Sequence, residues 1–245
     1  MIKFENYEVM GWEHAIRGMR NPMNSWEKSD SGFGCGAGLC SECSSDFCCR
    51  NPRICYVTGQ NDHDLMLKLA KNGSVHAKYR RMITVYVDIT APLYWWKEFD
   101  TYKVGTVANS CSTMHKIAEN EFTPEDFSCE HLDYAEKGIL LGNILEDGIN
   151  VSPKNMLNYT IEMLNYFRKK YINTANKNYW WQMIQLLPSS YNQKRTVMLN
   201  YEVLAGIYEY RREHKLDEWR EFCKWITSLP YSEIITGERK EGNDV

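Results

Sequence analysis

The chain has no long apolar run, no strong net charge and no recognisable export signal. No stretch of its 245 residues approaches the roughly 18–20 consecutive apolar residues that a membrane span requires. The first residues, MIKFENYEVMGWEH, lack an apolar signal region followed by a small-residue cleavage site. A net charge of −3 offers no broad basic face to duplex nucleic acid. These absences predict a soluble cytoplasmic protein that binds neither membranes nor duplex nucleic acid.

Common catalytic fingerprints are missing as well. The sequence contains no GxGxxG after a strand, no GxxxxGK[ST], no HExxH and no GxSxG. The six histidines are scattered without the spacing of metal ligands, so each is interpreted as an ordinary surface or core residue. There is no internal repeat and no flexible Gly/Ser linker, which favours a single α+β domain.

Cysteine is sparse except in one short segment, which holds six of the nine cysteines. In a reducing compartment such crowding favours thiolate ligands for a metal over disulfides. Zinc held by four of the six is the simplest hypothesis, because tetrahedral zinc sites tolerate varied loop spacing. The stretch CGAGLCSEC also resembles the loop of plant-type [2Fe–2S] ferredoxins, and unliganded or disulfide-forming thiols are a third possibility. The candidate metal ligands are Cys35, Cys40, Cys43, Cys48, Cys49 and Cys55.

Hydrophobic periodicity predicts several helices and one clear strand. Residues 9–20 are predicted to be helical, and Asp62 is predicted to cap a second helix. The β-branched run at 82–90 is predicted to be a strand. Long amphipathic helices are predicted from Pro153 onward and over 196–227.

One segment, from His76 to His115, carries a more specific signal. HAKYRR (76–81) is followed by an apolar strand, then by Ala91-Pro92, and then by TYKVGTVANSCSTMH (101–115). This order resembles the flavin-dependent thymidylate synthases of the ThyX type, whose signature has HxSxxE, a strand and RHRxxSxNExSxRY. The flanks agree with the resemblance. HAIRGMR (14–20) is similar to that family's early helix, and LLP (186–188) followed by LNYEVLAGIYEYRR (199–212) is similar to its flavin- and nucleotide-contacting stretch.

The resemblance implies functional roles for individual residues. Arg211 would polarise the uracil carbonyl of dUMP and Ser112 would contact its phosphate, so these two are the implied catalytic residues. The implied substrate-binding residues are Asn109, Ser110, Ser112, Arg211 and Arg212. The implied FAD-binding residues are His76, Thr101, Tyr102, Lys103, Thr106 and Asn200.

The resemblance also implies a fold and a reaction. The expected fold is a single α+β domain over 1–236 with a central, mainly antiparallel sheet flanked by long helices. The expected reaction is the reductive methylation of dUMP, or of a related pyrimidine nucleotide, with methylenetetrahydrofolate, FAD and NADPH. A homotetramer is implied, and the aromatic stretch 94–99 would suit its interface. Within this domain, a Cys-rich insertion is expected at 31–60, and a polar tail is expected at 237–245.

Several signature positions carry other residues, which keeps alternative functions open. Lys103 alone keeps a charge where the family has Arg-His-Arg, and Met114 stands where the family has an arginine that binds phosphate. One alternative is a non-catalytic nucleotide- or protein-binding homologue without flavin chemistry. Another is a metal-dependent redox module built on the cysteine cluster.

Overall fold

The computed structural model describes residues 2–33, 56–133 and 152–237. The strands are β1 (Lys3–Met10), β2 (Gly32–Phe33), β3 (Tyr56–Val57), β4 (Thr84–Pro92), β5 (Thr106–Ser110) and β6 (Asn192–Asn200). The helices are α1 (Trp12–Arg20), α2 (Gln60–Lys71), α3 (Leu93–Phe99), α4 (Thr113–Lys116), α5 (Pro153–Thr174), α6 (Lys177–Leu186), α7 (Tyr201–Arg211), α8 (Asp217–Ser228) and α9 (Glu233–Thr236). None of the helices in these ranges has the length and apolar character that a bilayer-spanning helix requires.

The main sheet is antiparallel and has the strand order β1-β4-β6-β5. Side chains in β4 alternate between buried and more exposed positions, with Val85, Val87 and Ile89 buried, as expected for a strand inside a sheet. β1 forms an edge and carries Lys3, Glu5 and Glu8, charges that discourage pairing with foreign strands. The predicted fold class, helices around a central antiparallel sheet, is confirmed.

The chain divides into two compact units. The first comprises Met1–Phe4, Asp88–Thr101 and Asn109–Thr196, and the second comprises Glu5–Val87, Tyr102–Ala108 and Val197–Val245. Each of the four strands in the main sheet therefore contributes residues to both units. The predicted limits of a single domain at 1–236 and of a tail at 237–245 stay predictions.

The core of the first unit is built largely on α3 and the α5–α6 pair. Trp95, Trp96 and Phe99 of α3 are 0–1% exposed and pack on one another, with ring centroids 4.9–5.3 Å apart. Ser152 caps α5: its hydroxyl accepts a hydrogen bond from the Asn155 N–H, and the helix begins with Pro153 at its first position. A second cluster packs between the long helices; it comprises Ile117, Phe122, Phe127, Leu157, Ile161, Leu164 and Met183.

The second unit contains a buried ion pair that holds α2 against α1. The Arg20 Nε donates to the Asp62 carboxylate at 2.6 Å, and Asp62 is fully buried. Ser29 and Ser31 each donate a hydroxyl to the other carboxylate oxygen at 2.6 Å. Burial alone would raise the pKa of Asp62, but the hydrogen bonds from these serines and Arg20, together with the Arg20 charge, hold that pKa below its ordinary value.

Contacts next to the same network join the residues that precede the Cys-rich stretch to the residues that follow it. β2 and β3 pair antiparallel, with Gly32 opposite Val57 and Phe33 opposite Tyr56. Asp30 caps α2 by accepting hydrogen bonds from the N–H groups of Asn61 and Asp62. The prediction that Asp62 is the cap is therefore wrong: the N-cap residue is Gly59, the Asp30 carboxylate accepts from the first N–H groups, and Asp62 lies in the first turn.

Three further predictions need correction. The helix predicted at 9–20 begins only at Trp12, because β1 extends to Met10 and Gly11 adopts a positive φ of 95° between them. The long helix predicted at 196–227 is wrong: the chain continues as β6 to Asn200 and then forms α7 and α8, separated by a break after Arg211. The aromatic stretch 94–99 does not suit a subunit interface, because its two tryptophans and its phenylalanine are buried in the chain's own core.

Candidate functional site

Arg211 is held in the second unit by two aromatic side chains. It is the last residue of α7, and Trp219 lies in the first turns of α8. The Arg211 Nε donates to the Tyr102 hydroxyl at 2.9 Å, and its guanidinium carbon lies 4.7 Å from the centroid of the fully buried Trp219 ring. Tyr102 and Trp219 meet edge to face, with centroids 5.8 Å apart. The guanidinium is therefore fixed in position, which suits the directed recognition of a carbonyl or an anion.

A cysteine close to this arginine is not set up as a nucleophile. Cys223 in α8 is 3% exposed. Burial raises the pKa of its thiol to about 11, although the charges of Arg211 and Arg212 act in the opposite direction. The thiol therefore stays protonated near neutral pH, and covalent catalysis by Cys223 is not favoured.

Arg212, the neighbouring candidate, occupies a different environment. It is exposed, and its guanidinium carbon lies 5.9 Å from the Tyr208 ring centroid. It lines a cavity of about 510 Å³ together with Lys215 and with the carboxylates of Glu209 and Glu213. Because these carboxylates would repel a phosphate, Arg211 is the better placed of the two arginines to bind an anionic ligand.

Asn200 positions α7 and contacts the loop before β5. Its side-chain oxygen accepts a hydrogen bond from the Val203 N–H at 3.0 Å, so it caps the helix that carries Arg211. Its amide nitrogen would lie 2.9 Å from a Cβ atom on Gly105. Gly105 also has a φ of 75°, which favours glycine. The loop that carries Tyr102 and Lys103 is thus packed closely on Asn200.

We expect Gly105→Ala to lower the free energy of unfolding by more than Gly73→Ala does. Gly73 is a matched control, because its φ is 87° but nothing lies within 4 Å of an added Cβ. The control should lose about 1–2 kcal/mol for the left-handed conformation. Gly105→Ala should lose about 1 kcal/mol more from overpacking against Asn200. Urea unfolding of both variants tests this, and equal losses would show that the loop does not depend on the contact.

The other residues that the resemblance assigns to FAD lie in varied surroundings. In the second unit, the Thr106 hydroxyl oxygen is buried and has no hydrogen-bond partner within the described residues. His76 and Lys103 of that unit are exposed. Thr101 belongs to the first unit, where its hydroxyl donates to the Glu98 carbonyl at 2.7 Å. Tyr102 and Asn200 are the two whose side chains are fixed by named contacts in the second unit.

The residues assigned to the nucleotide besides the two arginines belong to the first unit. Asn109 and Ser110 are exposed at the end of β5. The Ser112 hydroxyl oxygen accepts a hydrogen bond from the His115 N–H at 3.2 Å and so caps the short helix α4. Its hydroxyl hydrogen is still able to donate to a ligand oxygen.

Two other arginines with possible functional roles are engaged inside the second unit. Arg20, the last residue of α1, is bound to Asp62. Arg80 is 9% exposed, and its guanidinium lies 3.6 Å from the Glu202 carboxylate. Their charges are compensated within the chain, so neither is expected to bind a phosphate.

The sequence did not identify Trp219 as the partner of Arg211, because no local pattern links residues on either side of a helix break.

The proposed metal site lies outside the described residues, as all six candidate cysteines fall within 34–55. In the part of the chain that is described, no group of three or more His, Cys, Asp or Glu side chains is arranged to hold a metal ion. The zinc and iron–sulfur hypotheses stay predictions without structural support.

Comparison with known proteins gives a fold-level answer. No family model matches the chain, and no curated protein matches its sequence. Solved structures do match along nearly its whole length. Thymidylate synthase X (ThyX) from Helicobacter pylori, solved with FAD and dUMP, has a TM-score of 0.58 at 16% identity, covering 95% of this chain and 94% of that one.

Two further structures agree with the first. Another structure of flavin-dependent thymidylate synthase ThyX from H. pylori, complexed with FAD and dUMP, has a TM-score of 0.57 at 14% identity and covers 95% of both chains. The UMP/dUMP methylase PolB from Streptomyces cacaoi, bound with 5-Br dUMP, has a TM-score of 0.55 at 10% identity, covering 97% of this chain and 94% of that one. The chain therefore has a ThyX-like fold.

Proposed function

We propose that this protein binds dUMP or a related pyrimidine nucleotide and catalyses its reductive methylation, with methylenetetrahydrofolate, FAD and NADPH. The observation that carries the proposal is the fixed Arg211 guanidinium, held by Tyr102 and Trp219. The ThyX-like fold supports it, since the matching structures are a thymidylate synthase solved with dUMP and a UMP/dUMP methylase.

In this proposal each polar side chain has its own role toward the nucleotide. Arg211 donates hydrogen bonds to the pyrimidine carbonyl and stabilises the negative charge that develops on that oxygen when the ring reacts. Ser112 donates its hydroxyl to the phosphate, and Asn109, Ser110 and Arg212 provide further polar contacts. No protein nucleophile is needed, which agrees with the protonated state of Cys223.

One buried hydroxyl without a hydrogen-bond partner within the described residues supports FAD as the cofactor. The Thr106 hydroxyl is a buried polar group without a partner among them, at a position that the resemblance assigns to the flavin. Tyr102, Lys103, Asn200, His76 and Thr101 are the other residues that would hold the cofactor. FAD bound there would supply the redox chemistry of the methylation, while the protein would orient the reactants and exclude water. A homo-oligomer is part of the proposal.

A second function, nucleotide binding without catalysis, is favoured because two arginines are already engaged in ion pairs within the chain. A flavin pyrophosphate and a nucleotide phosphate together need several cationic or N–H partners. Here Arg20 and Arg80 form internal ion pairs, and Met114 replaces a phosphate-binding arginine. This alternative predicts binding of dUMP without binding of FAD.

The test is thymidylate formation from dUMP with methylenetetrahydrofolate, FAD and NADPH present together. The purified full chain should convert dUMP to product, and omission of FAD should stop the reaction. Because the alternative predicts nucleotide binding without turnover, dUMP affinity is measured by calorimetry on the same sample. Binding without product would favour the alternative. The absence of both dUMP binding and product would refute both functions.

A further inference from the structure

A cavity of about 400 Å³ lies in the first unit, where α4 and the beginning of α6 meet. Its volume falls in the range of pockets that hold small organic ligands. Among its lining residues are His115 and Met114 from α4 and Lys177 and Trp180 from α6. The resemblance gives no role to Lys177 or Trp180, and no sequence pattern singles them out.

The charge of this cavity favours an anion. Its lining contains Lys177 and His115 but no Asp or Glu. Lys177 forms no ion pair within the described ranges of the chain, although many of the other lysines and arginines there do. A lysine without a carboxylate partner beside a concave surface attracts anions from solution.

The cavity also offers a flat aromatic wall next to that charge. The Trp180 indole N–H donates to the Met114 carbonyl at 3.2 Å, which fixes the ring against α4. The Lys177 ammonium lies 5.9 Å from the Trp180 ring centroid and 5.8 Å from that of Trp181. Tyr171 adds a second aromatic side chain to the lining. A planar ligand can therefore stack on the wall while its charged group reaches the ammonium.

We infer that this cavity binds a planar organic anion, with Lys177 as the principal cation and Trp180 as the stacking surface. The inference rests on the proposed function for the identity of that anion, because the nucleotide carries a phosphate and the folate carries carboxylates on planar ring systems. Met114, at the position of a family phosphate-binding arginine, lines the same cavity as Lys177. Met114 is uncharged, so the positive charge in this lining comes from Lys177 on α6 instead.

The experiment is a calorimetric titration of the full chain with three probes, namely dUMP, folic acid and inorganic phosphate. Lys177→Met should weaken binding of dUMP or folic acid by about tenfold to hundredfold, as expected for a lost charge-assisted contact. Lys177→Arg should retain most of the affinity. The probe that is affected identifies the anionic group, and inorganic phosphate should bind more weakly than either, because it lacks a ring to stack.

Lys170→Met is the matched control, because Lys170 is an exposed lysine whose ammonium lies 5.6 Å from the Tyr166 ring centroid. It should leave the affinities unchanged. Equal effects of the two methionine variants, or no binding of either organic probe, would overturn the inference. Arg211→Ala separates this site from the proposed function. If Lys177 controls binding and Arg211 does not, the cavity stands and the proposed role of Arg211 fails.

Discussion

Replacing Arg211 by alanine is expected to lower kcat/KM for dUMP methylation by about tenfold to hundredfold. One hydrogen bond from a charged group contributes about 1.5–3 kcal/mol, and each 1.4 kcal/mol corresponds to about a factor of ten. Arg211→Lys should recover only part of the loss, since an ammonium lacks the planar fork that bonds Tyr102 and stacks on Trp219. Steady-state kinetics and dUMP titrations measure both variants.

The control for this prediction is Lys224→Ala, which removes one positive charge from a strongly exposed position of α8 in the same unit. Its kinetics should match those of the unchanged protein. Thermal unfolding of the Arg211 variants shows whether the packing on Trp219 has been lost. A properly folded Arg211→Ala protein with unchanged kcat/KM and unchanged dUMP affinity would contradict the role of Arg211.

The largest expected effect on stability comes from Asp62. Asp62→Ala leaves the Arg20 guanidinium buried without its carboxylate and removes the acceptor used by Ser29 and Ser31. Breaking a buried ion pair from one side costs about 3–5 kcal/mol. Asp64→Ala, at an exposed position in the same helix, should change the free energy of unfolding by no more than about 0.5 kcal/mol. Urea unfolding compares the two, and similar losses would refute the account of the ion pair.

The same carboxylate should make stability depend on acid pH. Its pKa is lower in the folded protein than in the unfolded chain, where an aspartate has a pKa of about 3.9. The folded state therefore gains stability from Asp62 above the unfolded pKa, and loses that gain as the pH falls through the folded pKa. Asp62→Asn should flatten this part of the stability–pH curve. An unchanged acid limb would place the acid sensitivity elsewhere.

The sequence indicated some elements well because their signals are local. β4 was predicted from its β-branched run, and the start of α5 from Pro153 and the periodicity after it. The second half of β6 (196–200) falls within the long helix predicted from the sequence. Its buried Val197 and Leu199 lie two residues apart, but they run directly into the helical pattern of α7. Only pairing with the neighbouring strands distinguishes the two states, and that pairing is not local.

The candidate site also contains residues with a local sequence signal and residues without one. Arg211 and Asn200 are candidates from a resemblance that covers their own segment, and the structure shows that Asn200 caps the helix that ends at Arg211. The partners of Arg211 could not be identified, since Tyr102 lies 109 positions earlier and reaches it only through the fold. The burial of Asp62 against Arg20 had no signal either, because the two lie 42 residues apart.

The most direct test of the proposed function is the absorption spectrum of the full chain titrated with FAD and then with dUMP. The account predicts that FAD binds, and that its visible bands shift when dUMP is added, because the proposed reaction requires dUMP to bind beside the flavin. Arg211→Ala should bind FAD and show a reduced response to dUMP. A spectrum identical to that of free FAD, with or without dUMP, would contradict the account and leave a fold of this type without its flavin chemistry.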